Sequence, residues 1–253
     1  MVKQVSAPII SNTEILPHTY LVWAQAPEIT SIAQPGQFVM VRCGESYDPL
    51  LRRPFSIHRV ANGGQMALLF NIVGRGTEWL SQCQEGDSLD LLGPLGRGFS
   101  FQSASHRLLL VAGGIGIAPL VFLAEKALGE GRSITLLIGA QNASLLYPES
   151  LLPPSIKLIT ATEDGSEGKK GMVTELMADF AAQADQVFAC GPTSMYQSIA
   201  AQHYLKGKSV QISLEVRMGC GLGACYGCTI KTKRGLRQVC QDGPVFELND
   251  IFW

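Results

Sequence analysis

The 253-residue chain has seven cysteines, and four of them, Cys220, Cys225, Cys228 and Cys240, fall within the stretch MGCGLGACYGCTIKTKRGLRQVC. Their C-x4-C-x2-C spacing, completed by a fourth thiol after eleven further residues, is the ligand spacing of a plant-type [2Fe–2S] cluster. Such a cluster needs four thiolates wrapped round two irons by a tight loop, and Gly219, Gly221, Gly223 and Gly227 are interspersed with the ligands. Without Cβ atoms the backbone turns sharply and brings N–H groups close to cluster sulfurs, where their hydrogen bonds raise the reduction potential. A structural zinc site and unligated thiols are the alternatives; zinc sites seldom need so many glycines.

Three further sets of residues carry chemistry. Arg52-Arg53-Pro54-Phe55-Ser56 can set a guanidinium on a pyrophosphate, a ring beside a flavin and a hydroxyl near its reactive nitrogen. Twenty residues on, Gly74-Arg75-Gly76-Thr77 offers backbone N–H groups and a hydroxyl for the same phosphates. Alone, the first is an ordinary edge-strand Arg-Pro and the second an ordinary Gly-x-Gly hairpin. Gly113-Gly114-Ile115-Gly116-Ile117-Ala118-Pro119 lies between an apolar strand and a helix, where an open α/β sheet binds a dinucleotide: glycines let the backbone approach phosphates and the helix N-terminus favours their charge. Later strand ends offer Glu163-Asp164 and Cys190-Gly191-Pro192, with Met195 just beyond, to the same crevice. Cys190 is equally a small buried hydrophobe, and Glu163 and Asp164 a turn and helix-entry pair. No Lys or Arg occurs from Gly139 to Ile156, which favours NADH over NADPH.

The elements that must hold these residues divide the chain. Residues 1–100 carry short runs, TYLVWAQA, GQFVMVRC, PFSIHRV, QMALLFNIV and DSLDLLG, with Asn62-Gly63-Gly64 as a hairpin turn; this pattern predicts a small antiparallel barrel, or a sandwich. From Arg107 the pattern changes to strand, helix and strand in alternation, with a helix starting near Pro119 and others over VTELMADFAAQ and SMYQSIAAQHYLKG. Residues 101–210 are therefore expected to form a doubly wound, parallel-sheet α/β domain. Residues 211–253 open with a strand, QISLEV, that can complete that sheet, and continue into the cluster segment.

Composition narrows the function. A formal net charge of −1 with scattered Lys and Arg argues against nucleic acid or a membrane surface. Lys231, Lys233, Arg234 and Arg237 read as a solvated hairpin, or secondarily a docking patch. No stretch has the length of a secretory signal or a membrane span, so a cytoplasmic location is expected, with Cys43, Cys83 and Cys190 kept as thiols. His18, His58, His106 and His203 are scattered without ligand spacing.

With these pieces in this order, the chain resembles the ferredoxin-reductase-like flavoproteins over nearly its whole length. Arg53-Pro54-Phe55-Ser56, Gly76-Thr77, GPLGRGF, GGIGIAPL, ATEDGSEG, ACGPTSM, SLEVRMGCGLGACYGC and VCQDGPVF are similar to the electron-transfer subunits of NADH-dependent, type B dihydroorotate dehydrogenases. The resemblance implies FAD on the barrel, NADH on the second domain, the C-terminal [2Fe–2S] cluster, and a partner catalytic subunit carrying FMN, two of each in a heterotetramer. It places flavin contacts on Arg53, Phe55 and Ser56, on Leu69, Phe70 and Asn71, and on Gly76 and Thr77. Many members of the broader family end in an aromatic that shields the flavin; here the chain continues into the cluster segment, so Trp253 is not given that role.

The expected relay follows from electron counts: NADH gives two electrons as hydride, a [2Fe–2S] cluster accepts one at a time, and a flavin does both. No residue of this chain is expected to act on the pyrimidine. The alternatives are a subunit of another flavin/iron–sulfur complex, such as NADH-dependent ferredoxin:NADP oxidoreductase or sulfide dehydrogenase, a redox-sensing module without turnover, and a zinc-stapled β protein.

Overall fold

The computed structural model describes residues 1–44 and 49–253. Strands β1 (Lys3–Leu16), β2 (Thr19–Gln25), β3 (Phe38–Val41), β4 (Arg53–Ala61), β5 (Gln65–Asn71) and β6 (Ser88–Leu95) alternate with a one-turn helix α1 (Pro27–Thr30) and helix α2 (Arg75–Gln82). Paired antiparallel in the order β1-β2-β5-β4-β3-β6, the strands close into a barrel, which excludes the sandwich. Closure depends on β1, which the sequence reading did not anticipate, because Pro8, Ser11 and Asn12 interrupt its apolar alternation. Its first half pairs with β6 and its second with β2, and register shifts between Ile9 and Ser11 and between Glu14 and Leu16 bend it from one partner to the other. The Asn62-Gly63-Gly64 turn joins β4 to β5, with φ of 78° and 81° at its glycines.

Both faces of β5 are covered, which is why its sequence is apolar throughout. Met66, Leu68 and Phe70 fill the barrel, whereas Ala67 and Leu69 pack against the second half of the chain. Because the barrel lends one strand face to its neighbour, the two halves share a buried joint.

The second half contains β7 (Arg107–Gly113), α3 (Ile117–Gly129), β8 (Ser133–Ala140), β9 (Lys157–Thr162), β10 (Lys169–Lys170), α4 (Met177–Ala181), β11 (Gln186–Cys190), α5 (Thr193–Ala200) and β12 (Val210–Ser213). It is followed by β13 (Thr229–Thr232), β14 (Gly235–Gln238), α6 (Val239–Asp242) and β15 (Val245–Glu247). A seven-stranded sheet runs β10-β9-β8-β7-β11-β12-β15, parallel except for the last pair, where β15 lies antiparallel to β12. Leu120, Leu123 and Ala124 of α3 cover one face, and Met177, Tyr196 and Ile199 cover the other. Each such leucine contributes roughly 1.5–3 kcal/mol of burial, so the helices are held by packing rather than by length. The order reverses between β7 and β11, the switch point where such sheets open a crevice.

Packing decides three local points. Gly74–Gly76 is not a hairpin: Gly74 precedes α2, and Thr77 Oγ1 accepts the N–H groups of Val73 and Gly74, a helix cap. The VTELMADFAAQ segment is a 3-10 turn over Val173–Leu176 followed by the short α4, because its apolar residues must lie across β8 and β9 rather than along one long stripe. The α/β sheet also takes its antiparallel edge strand from the C-terminal segment, whose cluster loop returns to the barrel. There Cys228, Val239 and Cys240 pack with Phe38, Met40 and Leu95. Among the described residues no helix is long and apolar enough to cross a membrane.

Candidate functional site

At the start of β4, Arg53 lies beside the N-terminus of α2. A Cβ on Gly76 would come within 3.2 Å of Arg53 Nε, so glycine lets helix N–H groups and guanidinium share one spot. A guanidinium beside a helix N-terminus is a cradle able to receive an anion. Arg53 Nη1 also donates to the Leu51 carbonyl at 2.6 Å, while Arg52 is turned away into an ion pair with Asp90. Thr77 spends its hydroxyl on the cap and by donating to the Gly74 carbonyl, so it shapes the cradle more than it faces outward. Pro54 pairs across the ladder with Met40 and Ser56 with Phe38. Phe55 is directed into the barrel, edge-on to Phe70 with centroids 5.6 Å apart; Leu69 faces the second domain and Asn71 Oδ1 accepts the Thr19 hydroxyl.

The glycine turn after β7 is packed against the turn after β11. A Cβ at Gly116 would fall 2.1 Å from the Cys190 carbonyl oxygen, and one at Gly113 would meet Pro192 at 2.9 Å and Met195 Sδ at 3.0 Å. Gly191 in turn faces Met195 and Gly113. Gly113, Gly116, Cys190, Gly191, Pro192 and Met195 thus meet at one place, at the carboxyl end of the switch-point strands. Around Gly114, φ is 54° and nothing lies within 4 Å of an added Cβ, so this glycine faces open space next to the Ile117 end of α3. Tyr196, which the sequence reading passed over, locks the second turn: its hydroxyl accepts Gly191 N–H at 3.0 Å and donates to the Ser213 carbonyl at 2.6 Å. A tyrosine one position after Met195 on a short helix gave no periodic cue. Cys190 is buried, and that burial pushes its thiol up to about 12.

Glu163 and Asp164 are not brought into this contact. They sit at the end of β9, two strands from β7, where their N–H groups bond to the carbonyls of Ala140 and Gln141. Asp164 accepts both the N–H and the hydroxyl of Ser166, which hold its carboxyl below the ordinary range.

In the cluster segment the thiols are neighbours: Cys220 interacts with Cys225, and Cys240 with both Cys228 and Cys220. Four thiolates, two for each iron, are the donor set of a [2Fe–2S] cluster. Backbone donors point at the sulfurs: Leu222 N–H to Cys220, Gly223 N–H to Cys240 and Cys240 N–H to Cys228, at 3.3, 3.2 and 3.4 Å. Burial raises Cys220, yet N–H groups of Leu222, Cys225 and Ala224 with the Cys225 thiol outweigh it and bring it down to about 6. Cβ atoms on Gly219 or Gly227 would stand 3.4 or 3.5 Å from Cys225 Sγ, so both glycines flank that thiol and leave it open. The donor set and the cradle fit a [2Fe–2S] group. The basic run forms the β13–β14 hairpin, with Arg234 paired to Asp250. Trp253 tilts against Tyr196 and donates to the Leu248 carbonyl, beneath the nucleotide sheet and away from the barrel. Cys43 and Cys83 are inside the barrel, where burial pushes them up to about 12 and about 11.

Residues 215–252 match a family model described as the iron–sulfur cluster binding domain of dihydroorotate dehydrogenase B, and residues 110–201 one described as an oxidoreductase NAD-binding domain. The chain is 41% identical to the dihydroorotate dehydrogenase B (NAD(+)) electron transfer subunit of Desulforamulus reducens, over 100% of both chains. It is 36% identical to the subunit of the same name from a Geobacillus species, over 99% of each. Among solved structures, an NADH-dependent reduced ferredoxin-NADP oxidoreductase, described in connection with flavin-based electron bifurcation, superposes with a TM-score of 0.89 at 29% identity, covering 98% of this chain and 90% of that one. A ferredoxin NADP+ reductase from Neisseria gonorrhoeae shares the fold at a TM-score of 0.64 and 17% identity, over 79% of this chain and 94% of that one.

Proposed function

Because the chain belongs to the electron-transfer subunits of NAD(+)-dependent dihydroorotate dehydrogenase B, we propose that it relays electrons between a nicotinamide cofactor and a separate catalytic subunit, through FAD and a [2Fe–2S] cluster. The observation that carries the reading is the set of backbone N–H groups aimed at the sulfurs of Cys220, Cys228 and Cys240, at the end of a chain that also sets Arg53 beside the α2 N-terminus and carries a switch-point glycine turn. Arg53 and the Gly76–Thr77 end of α2 hold the FAD pyrophosphate; Ser56, Leu69 and Asn71 line the flavin, whereas Phe55 and Phe70 stay in the barrel core behind it. Gly113, Gly114, Gly116 and Ile117 receive the nicotinamide dinucleotide's phosphates, Cys190, Gly191, Pro192 and Met195 border its nicotinamide end, and Glu163 and Asp164 line the same crevice from the end of β9. Bound FAD supplies the exchange between two-electron hydride and single electrons.

Electron balance gives the relay its direction. Oxidation of dihydroorotate to orotate releases two electrons, which must leave through this chain to NAD+; NADH drives the same relay backwards. The expectation of flow from NADH to the partner therefore describes the reverse reaction. The catalytic partner carries FMN, the assembly contains two of each subunit, and it works in the cytoplasm. An anaerobic visible spectrum before and after NADH tests the relay: flavin and cluster bands should both bleach, and adding the FMN-bearing partner should confer dihydroorotate-dependent reduction of NAD+. A colourless protein, or dye reduction with no gain on adding the partner, would sink the proposal. The TM-score of 0.89 favours as second reading a subunit of a ferredoxin-NADP oxidoreductase, at lower sequence identity. Turnover with ferredoxin and NADP+ in place of dihydroorotate would select it.

A further inference from the structure

His58 is unused by the relay, yet it is the histidine on which the two halves of the chain meet. β4 carries Arg53 to Ser56 at its start, and Phe55 and Ile57 face the barrel interior, so Ser56 and His58 project to the opposite side. In the pairing with β5 the step from Ile57 to Arg59 is matched by the single step from Leu68 to Ala67, a bulge at His58. Bulges re-aim side chains, and here His58 and Arg59 both reach α3. The imidazole is fully buried. Its Nδ1 lies 2.8 Å from the Ala118 carbonyl oxygen and its Nε2 3.0 Å from the Tyr147 hydroxyl. A carbonyl only accepts, so Nδ1 carries the proton and Nε2 accepts from the tyrosine. Arg59 Nε donates to Glu125 Oε1 at 2.7 Å, two turns further along the same face of α3.

We propose that His58 is the positioning residue that fixes the glycine turn and first turn of α3 against the flavin strand of the barrel. Ala118 is two residues beyond Gly116, which is wedged against Cys190, so a bond to Ala118 holds the whole switch-point turn. The consequence is geometric: Ser56 on one side and the Gly113–Ile117 turn on the other keep one separation and one angle, which a hydride jump requires. Tyr147 extends the hold to the segment after β8. The inference rests on the proposed relay for its kinetic consequence and on the contacts alone for its structural one.

The test compares the holoprotein with His58→Asn, which sets an N–H donor as far from Cα as Nδ1, and with His58→Leu, which has none. Two quantities are read: the rate of flavin bleaching at saturating NADH, and amide hydrogen exchange of the peptides covering 113–123 and 143–148, with the 219–241 segment as reference. His58→Leu should slow bleaching about 10- to 100-fold, the cost of a misplacement near 1 Å, with FAD and iron content and the half-saturating NADH concentration little changed. Exchange should rise in the two named peptides and not in the reference, and His58→Asn should recover most of both effects. Bleaching at the wild-type rate in His58→Leu overturns the proposal, as does an equal loss in both variants or faster exchange throughout the molecule. If NADH fails to bleach wild-type flavin, the relay reading falls, and the exchange pattern still decides the role of His58.

Discussion

Cys225 is exposed while Cys228 and Cys240 are buried, so a change at Cys225 tests ligation with little disturbance of packing. Cys225→Ser should lose the cluster absorption and about half the bound iron or more, together with transfer to the partner, while NADH oxidation by artificial acceptors at the flavin persists. Iron analysis and the two assays check it; survival of partner transfer removes Cys225 from the ligand set. Arg53→Ala removes a charge-assisted contact worth about 1.5–3 kcal/mol, so FAD should dissociate roughly 10- to 100-fold more readily, as gel filtration followed by flavin quantitation would show. At this scale the sequence was legible where chemistry is local. The cysteine spacing is such a local signal, but Tyr196 and His58 act on carbonyls far along the chain, which no spacing announces.

The turn between β7 and α3 separates two uses of glycine. Gly116 has an ordinary helical φ of −60°, and it is required because a Cβ would strike the Cys190 carbonyl. Gly114 has positive φ and open space around it. Gly116→Ala should therefore lower stability by roughly 1–3 kcal/mol, seen as a fall in Tm, as overpacking does. Gly114→Ala should cost only about 1 kcal/mol for its left-handed backbone, yet raise the NADH concentration needed for half-maximal flavin bleaching, because its methyl projects where phosphates approach. If both variants lose stability and neither changes NADH affinity, the turn is structural only. Elements with strong period or punctuation were readable in advance: β2 to β6, the β4–β5 turn, β7, α3 and β8. Strand β1 was not, since its polar interruptions are tolerated only because two different partners hold its halves.

Over the whole molecule, burial of His58 and the hydrogen bonds on Asp185 both make stability fall with acid. Burial holds His58 neutral, its pKa lowered from 6.5 to about 4. A depressed pKa means that the unfolded chain takes up the proton first. The folded state loses nothing above pH 6.5, then weakens as pH falls towards 4, by about 3 kcal/mol once both limits are passed. Asp185, whose carboxyl is held well below the usual range by hydrogen bonds from Arg107 and the His106 backbone, acts in the same sense: its contribution is present above the unfolded carboxylate pKa and is lost at lower pH. Tm should thus be flat from pH 8 to 7 and decline from pH 6.5 to 4.5, and His58→Asn should flatten that decline. An unchanged slope in the variant would show that imidazole burial does not set it.

The sequence alone determined the cluster ligands' spacing, the glycine turn before a helix, the change from strand pattern to strand–helix alternation and the family resemblance. Each depends on residues close together in the chain, whose order dictates local geometry. Tertiary structure decided barrel over sandwich, the helix rather than hairpin at Gly76, the return of Val245–Glu247 to the nucleotide sheet, and the His58 bond to Ala118. Those depend on which distant surfaces meet, and burial with hydrogen-bond satisfaction chooses among them only once the whole chain has packed.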